Sequence, residues 1–397
     1  MRKAVIRAAF SALLLSLALW AAGAAGEGVT RCLLIGCDRF VLMPWMEPAS
    51  ANNTGTMEAL VRDFLPGKVA VTRSVNGPGT VEGFESLVSD TFADAGEEDT
   101  ALIYLSTHGI FRQEEGSQYV ALLLSDGKDE ERLEPEKLRE ILDRIPGEKV
   151  LILDTCHSGA MIGMGGEGGV NWFRDGRYRV LVSSGATEKS WYWNAEENGF
   201  TGTGFFTDAL NCALRASDPV QIDPEEKGSV SLTDLTARLR AIHGASTVYC
   251  WPEESREPLF ILPEDRKAGD LLRGVTIGSE ETDGDAIVVP IRFRAEEPVR
   301  LVYQLAPSRN GRWDFEHAVR LPDREKTGLT RGLLSPGEKD RKIRLSAKSL
   351  GEEGKALMQI FSLRGEERTP TAEAGWVITI SPETGNLPQV QEKPEAE

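Results

Sequence analysis

The stretch Val150-Leu151-Ile152-Leu153-Asp154-Thr155-Cys156-His157-Ser158-Gly159 constrains this chain more than any other. Its four consecutive apolar residues suit a strand buried on both faces of a parallel sheet. The run then turns polar at once and delivers a thiol. In open α/β sheets, chemistry collects just beyond the carboxyl ends of the strands. A Cys at such an edge needs a base, and a second apolar run, Thr100 to Leu105, ends the same way in Ser106-Thr107-His108-Gly109. Two strands that each bring half of a thiol–imidazole pair to one edge predict a nucleophile, Cys156, with His108 as its proton carrier. Either residue alone would be no more than a strand cap. Gly109 and Gly159 allow backbone to approach a substrate closely, and the N–H groups of Gly109 and Cys156 are the expected oxyanion donors. His157 is a rival base. Adjacent residues on extended backbone point to opposite faces, so it should face away from the thiol. His243 and His317 lie outside such a context and are expected to be structural or solvated.

The N-terminus has the layout of a secretory signal peptide. Arg2, Lys3 and Arg7 precede the apolar Ala8 to Trp20, and Ala21 to Gly26 offers small-residue cleavage sites. The expected product is secreted or held at the cell surface; the alternative is an uncleaved helix that anchors it. Cleavage removes three positive charges and takes the net charge from −17 to −20. So acidic a chain is a poor binder of nucleic acid or anionic lipid. We therefore expect protein or peptide substrates, no nucleic acid, no membrane contact after cleavage, and a monomer. Five cysteines (Cys32, Cys37, Cys156, Cys212 and Cys250) include no CxxC pair, and HExxH is missing, so no metal site is expected. The four other than Cys156 lie in apolar segments and read as small core residues, with one disulfide among them left open.

Along the chain, strands are expected at Cys32 to Gly36, Val69 to Val75, Thr100 to Leu105, Tyr119 to Leu124, Val150 to Asp154, Tyr178 to Ser184, Ser246 to Trp251 and Pro258 to Leu262. Helices are expected at Ala51 to Phe64, from a Thr80 cap to about Phe92, from Pro135 to about Arg144, at Thr203 to Leu214 and at Ser231 to His243. This alternation implies a mainly parallel sheet with helices on both faces. From about Lys267 the pattern becomes short strands with Gly, Pro and Asp turns: Ala286 to Phe293, Val299 to Leu305, Arg341 to Leu345, Ala356 to Phe361 and Trp376 to Ile380. A small all-β, sandwich-like domain is expected there. The division is a signal at 1–26, an α/β domain at 27–266, a β domain at 267–381 and a disordered, Pro- and Glu-rich tail at 382–397.

The pair Ser106-Thr107-His108-Gly109 and Asp154-Thr155-Cys156-His157-Ser158-Gly159 resembles the caspase-like cysteine peptidases, most of all metacaspases and their bacterial relatives. Those carry S-G-H-G and D-C-C-H-S-G in corresponding places, and the likeness runs from Val29 to Leu262. The separation of His108 from Cys156 is close to the spacing of about 50 found in caspases. The resemblance implies a caspase–haemoglobinase fold, a His108/Cys156 dyad and cleavage of peptide bonds. It also implies that Asp154 and Ser106 line the S1 pocket, where a carboxylate favours Arg or Lys at P1. The family adds an Asp from an Asn-Asp pair opening the first helix. Here the run is Asn52-Asn53-Thr54, and Thr54 is expected in that place.

Other features carry less. Gly163 to Gly168 fits GxGxxG without directly following its strand, so it reads as a mobile loop rather than a dinucleotide site. It resembles the segment that caspase relatives cut on activation, with Arg174, Arg177 and Arg179 after it. The acidic turn Asp126, Asp129, Glu130 and Glu131 is a calcium candidate by resemblance and a solvated cluster by composition; no other cofactor is expected. Trp191, Tyr192 and Trp193 are read either as cleft lining or as a packing cluster. The competing function is a non-catalytic surface protein that binds through its β domain and keeps the α/β part as scaffold.

Overall fold

The structure, a computed structural model, describes residues 28–114, 117–192, 202–215, 222–243, 245–263, 272–278, 281–283, 286–296, 298–315, 317–322, 334, 336–351, 353–364, 371–379 and 389–391. The expected signal segment, Trp193, the expected 266/267 boundary and most of the tail lie outside them.

The α/β part runs β1 (Val29–Gly36), α1 (Ala49–Phe64), β2 (Lys68–Val75), α2 (Val81–Thr91), β3 (Thr100–Ser106), β4 (Gly109–Glu114), β5 (Ser117–Ser125), β6 (Glu130–Leu133), α3 (Pro135–Leu142), β7 (Glu148–Asp154), β8 (Tyr178–Val182), α4 (Phe205–Leu214), β9 (Ser229–Ser231), α5 (Leu232–His243), β10 (Tyr249–Trp251) and β11 (Pro258–Ile261). Six strands form the central sheet in the order β10-β8-β7-β3-β1-β2, all parallel except β10. The two apolar runs singled out in the sequence, β3 and β7, are its adjacent central strands. Their residues alternate between two cores, as a period of two requires. Leu102, Tyr104, Val150 and Ile152 face α1, α4 and α5, whereas Ile103, Leu105, Leu151 and Leu153 face α2 and α3. Burying each such side chain stabilises the fold by about 1.5–3 kcal/mol, and a one-residue slip would invert every one of them. The register at the sheet's edge is therefore held firmly.

β4, β5 and β6 make a separate three-stranded antiparallel sheet packed onto the α2/α3 side. Thr80 caps α2, its side chain accepting from Gly83 N–H at 3.1 Å. The first helix starts two residues before its expected Ala51, because the buried carboxylate of Asp38 accepts from Ser50 and Ala51 N–H at 2.7 and 2.9 Å. A cap supplied from twelve residues upstream leaves no local signature.

The all-β part comprises β12 (Leu272–Ile277), β13 (Glu281–Asp283), β14 (Ala286–Ala295), β15 (Val299–Arg309), β16 (Arg312–Trp313), β17 (Val319–Pro322), β18 (Gly337–Ser346), β19 (Lys355–Arg364), β20 (Thr371–Thr379) and β21 (Gln389–Gln391). One antiparallel sheet is built on β14, the other on β15 and β19. Ile287, Val289, Ile291 and Phe293 interdigitate with Leu301, Tyr303, Leu305, Met358 and Ile360 in one core. That is sandwich packing. Within the expected tail, 389–391 pairs with Val377–Thr379. The whole is a mainly parallel α/β sheet with helices on both faces, followed by an all-β part.

Candidate active site

The registered pair Ser106–Asp154 closes the β3–β7 ladder. Both side chains continue the face of Tyr104 and Ile152, so they point toward α1 and α4. Two residues further on, His108 and Cys156 leave the same edge. The strand ends touch through backbone: a Cβ at Gly109 would fall 1.8 Å from the Cys156 carbonyl oxygen. Only glycine fits there. The His108 carbonyl accepts from Leu123 N–H at 2.9 Å. That makes Gly109–Leu122 a non-hydrogen-bonded pair of the β4–β5 ladder, with the Gly109 N–H turned away from β5.

The His108 ring is fixed from one side. Its Nε2 lies 2.9 Å from the Pro44 carbonyl oxygen, and Phe40 packs on it with centroids 4.4 Å apart. A carbonyl can only accept, so Nε2 carries the proton and Nδ1 keeps a free lone pair. The loop that presents Pro44 is pinned by Glu130, whose carboxylate accepts from Val41 and Leu42 N–H at 2.6 and 3.2 Å. Burial holds the imidazole below its ordinary 6.5, opposed by the Pro44 carbonyl and the Glu130 charge. Cys156 is half-buried, and its Sγ donates to the Ser190 carbonyl at 3.4 Å. Burial lifts this thiol above its ordinary 9.0, with Lys189 pulling the other way. The resting pair is a neutral thiol and a neutral imidazole.

Beside Cys156 opens a small pocket, lined among others by Met46, Asn53, Ser106, Thr107, Asp154 and Trp191. Asp154 lies at its polar end. One carboxylate oxygen accepts from Ser190 Oγ at 3.0 Å; the other accepts from Thr207 Oγ1 at 2.8 Å and from Tyr104 O–H and Asn53 Nδ2 at 3.3 Å. Among the described residues no cation pairs with it, and burial raises its carboxyl above the ordinary 3.8. Ser106 accepts from Asn53 Nδ2 at 3.1 Å and donates to Ser50 Oγ at 3.1 Å. The helix residue facing the pocket is thus Asn53, not the expected Thr54. Thr54 Oγ1 is turned to its own helix and to Arg73, donating to the Ala51 carbonyl and accepting from Nε of Arg73. The helical face expected from Met57, Leu60, Val61 and Phe64 is the buried one; what shifts is the position carried over from the family's Asn-Asp pair, from Thr54 to Asn53.

Strand alternation does not reach His157, the rival base of the sequence reading. It adopts a left-handed conformation (φ 61°), stacks on Phe111 and bonds the Ala186 carbonyl through Nδ1 at 2.9 Å. His317 is exposed and bonds Asp314. All five cysteines are free, and Cys32, Cys37, Cys212 and Cys250 are buried. The glycine-rich loop is packed at its start, where a Cβ at Gly165 would meet Gly185 Cα at 2.6 Å and Ala186 N–H donates to the Met164 carbonyl at 2.9 Å, and exposed from Gly166 to Gly169. Of the arginines after it, Arg179 is buried in β8 against Glu148 and Arg177 pairs with Asp143. In the acidic turn, Asp126 accepts from Lys128 and Asp129 N–H, Glu130 holds the Pro44 loop, and Glu131 accepts from Val81 N–H. No cluster of three metal-ligating side chains occurs among the described residues. Ser190, Thr207 and Pro44 carried no site role in the sequence reading, because each reaches the site from an element with no motif of its own; Tyr104 was read only as a strand residue and Glu130 only as part of the acidic turn.

No family model and no curated protein matches the chain. Among solved structures it is similar to a protein from Geobacter sulfurreducens, with 14% identity, 61% of this chain and 100% of that one covered, and a TM-score of 0.40. It is similar to caspase-1 from Spodoptera frugiperda at 13% identity over 55% of this chain and 79% of that one, TM-score 0.37. The Arg-specific cysteine proteinase gingipain R matches at 10% identity over 86% and 66%, TM-score 0.29.

Proposed function

We propose that this protein is an exported cysteine endopeptidase that cleaves after Arg or Lys. The observation that carries the reading is the Ser106–Asp154 register of two adjacent parallel strands, which sends His108 and Cys156 off one edge beside a pocket ending in an unpaired carboxylate. In this reading Nδ1 of His108 takes the Cys156 proton as the thiolate attacks the substrate carbonyl carbon. The Gly109 and Cys156 N–H groups hold the developing oxyanion. As the C–N bond breaks, His108 returns the proton to the leaving amine. A water, deprotonated by His108, then hydrolyses the thioester. Ser106 and Asp154 receive the P1 side chain, the apolar walls covering its stem and the carboxylate meeting its charge.

The test is labelling by a peptidyl-arginyl acyloxymethyl ketone, read by intact mass and peptide mapping. We expect one adduct, on Cys156, lost in Cys156→Ala and reduced by about 10⁴-fold in rate in His108→Ala. No selective adduct on Cys156 would sink the peptidase reading in favour of a scaffold that binds through its β domain.

A further inference from the structure

Trp191 belongs to two places at once. It lines the pocket beside Cys156, and its ring packs on Phe315, a residue of the β domain that follows β16, with centroids 4.8 Å apart. Phe315 also meets Phe205 edge-on at 5.8 Å and 85°, and Phe205 meets Phe361 of β19 at 5.6 Å. Phe205, Phe315 and Phe361 are all buried, with Val302, Ala306 and Leu357 completing the cluster.

The same cluster reaches the pocket by a second route. Phe205 opens α4 and its N–H donates to the Trp191 carbonyl at 2.9 Å. The preceding Gly204 lines the pocket, bridges to Tyr192 and donates its N–H to Asn53 Oδ1 at 2.7 Å. A Cβ at Gly204 would lie 2.6 Å from Asn53 Nδ2 and 2.7 Å from Asp154 Oδ2. The pocket wall is thus one residue thick, and what stands behind it is aromatic surface from the β domain. Trp191 itself lies on irregular backbone, outside any helix or ladder strand, so ring contacts set the plane of its indole.

We propose that the β domain is a working part of the substrate pocket, with Phe315 as the positioning residue that holds Trp191 flat as the wall for a long cationic P1 side chain. This rests on the peptidase reading above. The Lys189 Nζ already lies over the Trp191 ring, 5.5 Å from its centroid; a substrate guanidinium or ammonium would take that place, its stem covered by the indole, only when the ring plane is held against rotation. The effect therefore falls on binding of the P1 side chain and not on proton transfer between His108 and Cys156.

The full-length Phe315→Ala and Phe315→Leu variants test this with a peptidyl-arginyl fluorogenic amide. For Phe315→Ala we expect KM to rise about tenfold with kcat held within about twofold, and Phe315→Leu to recover part of the loss. Alkylation of Cys156 by iodoacetamide, which needs no pocket, should keep the wild-type rate. An unchanged KM, or a joint fall of kcat and alkylation rate with loss of the thermal transition, overturns the inference. Fluorine NMR of fluorotryptophan-labelled protein decides the same point without turnover. The Trp191 line, assigned by its loss in Trp191→Phe, should shift or broaden in Phe315→Ala, and a line that stays put refutes the inference. Should the wild type neither cleave nor label, the peptidase reading fails, and the fluorine line alone still decides whether Phe315 holds Trp191.

Discussion

Asp99 and Asp154 flank opposite ends of the central sheet and are put to opposite uses. Asp99, just before β3, accepts from Val29 N–H at 2.6 Å, from Gly96 N–H at 3.1 Å and from Nε of Arg31 at 3.2 Å. These donors, the Val29 N–H foremost, hold its carboxyl below the ordinary 3.8. Asp154, ending β7, has only neutral donors among the described residues and is pushed up by burial. One carboxylate is consumed by the fold. The other is held by hydroxyls and an amide at a cost in stability, which is what the proposed cationic P1 side chain would offset.

The largest effect should come from removing that charge. Asp154→Asn is expected to cut discrimination between P1 Arg and its neutral isostere citrulline by about 10³-fold, measured as a ratio of kcat/KM values. If the ratio is unchanged, Asp154 is a second Asp99. pH sharpens the contrast next. In the proposed mechanism neutral His108 is the base, and burial holds its pKa below 6.5, so the acid limb of kcat/KM should lie below that value, with activity falling about tenfold per pH unit beneath it. Because Cys156 is raised above 9.0, iodoacetamide alkylation should keep climbing past pH 9; a plateau at neutral pH would instead indicate a preformed ion pair.

Glu130 is intermediate between the two aspartates, spending its carboxylate on a loop that serves the base. Glu130→Gln should lower kcat about fivefold and move the acid limb to lower pH, since the lost charge no longer supports the imidazolium. An unmoved limb would reduce Glu130 to a loop anchor. The smallest effect belongs to Asp99→Asn: a loss of about 1 kcal/mol in stability, read from urea unfolding, with kcat/KM unaltered. The sign follows from its depressed pKa. Its contribution is present above pH 3.8 and disappears as pH falls through the folded value, so wild type and variant should converge in acid.

Much of this was legible in the linear order of residues, for a definite reason. Apolar runs of β3 and β7 must alternate between two cores, and that parity puts Ser106 and Asp154 on one side, with His108 and Cys156 following from the same edge. The cap at Thr80 and the period-two face of β14 were readable for the same local cause. The apolar face of α1, from Met57 to Phe64, was readable too, but its start was not, because its first N–H groups are capped by Asp38, a side chain from before the helix. That Asn53 rather than Thr54 meets Ser106 was settled by packing alone. Glu130, met in the sequence as part of an acidic turn, has its role set by Val41 and Leu42, far away along the chain.

The sequence by itself determined the fold class and the edge where a thiol and an imidazole emerge, because strand parity and burial are written in neighbouring residues. Only the tertiary structure decided what surrounds them: Asn53, Ser190 and Thr207 around Asp154, the Pro44 carbonyl on His108, and Phe315 behind Trp191. Those contacts join segments tens to more than a hundred residues apart, and what brings them together is the packing of helices and a second domain on the sheet, which leaves no periodic trace along the chain.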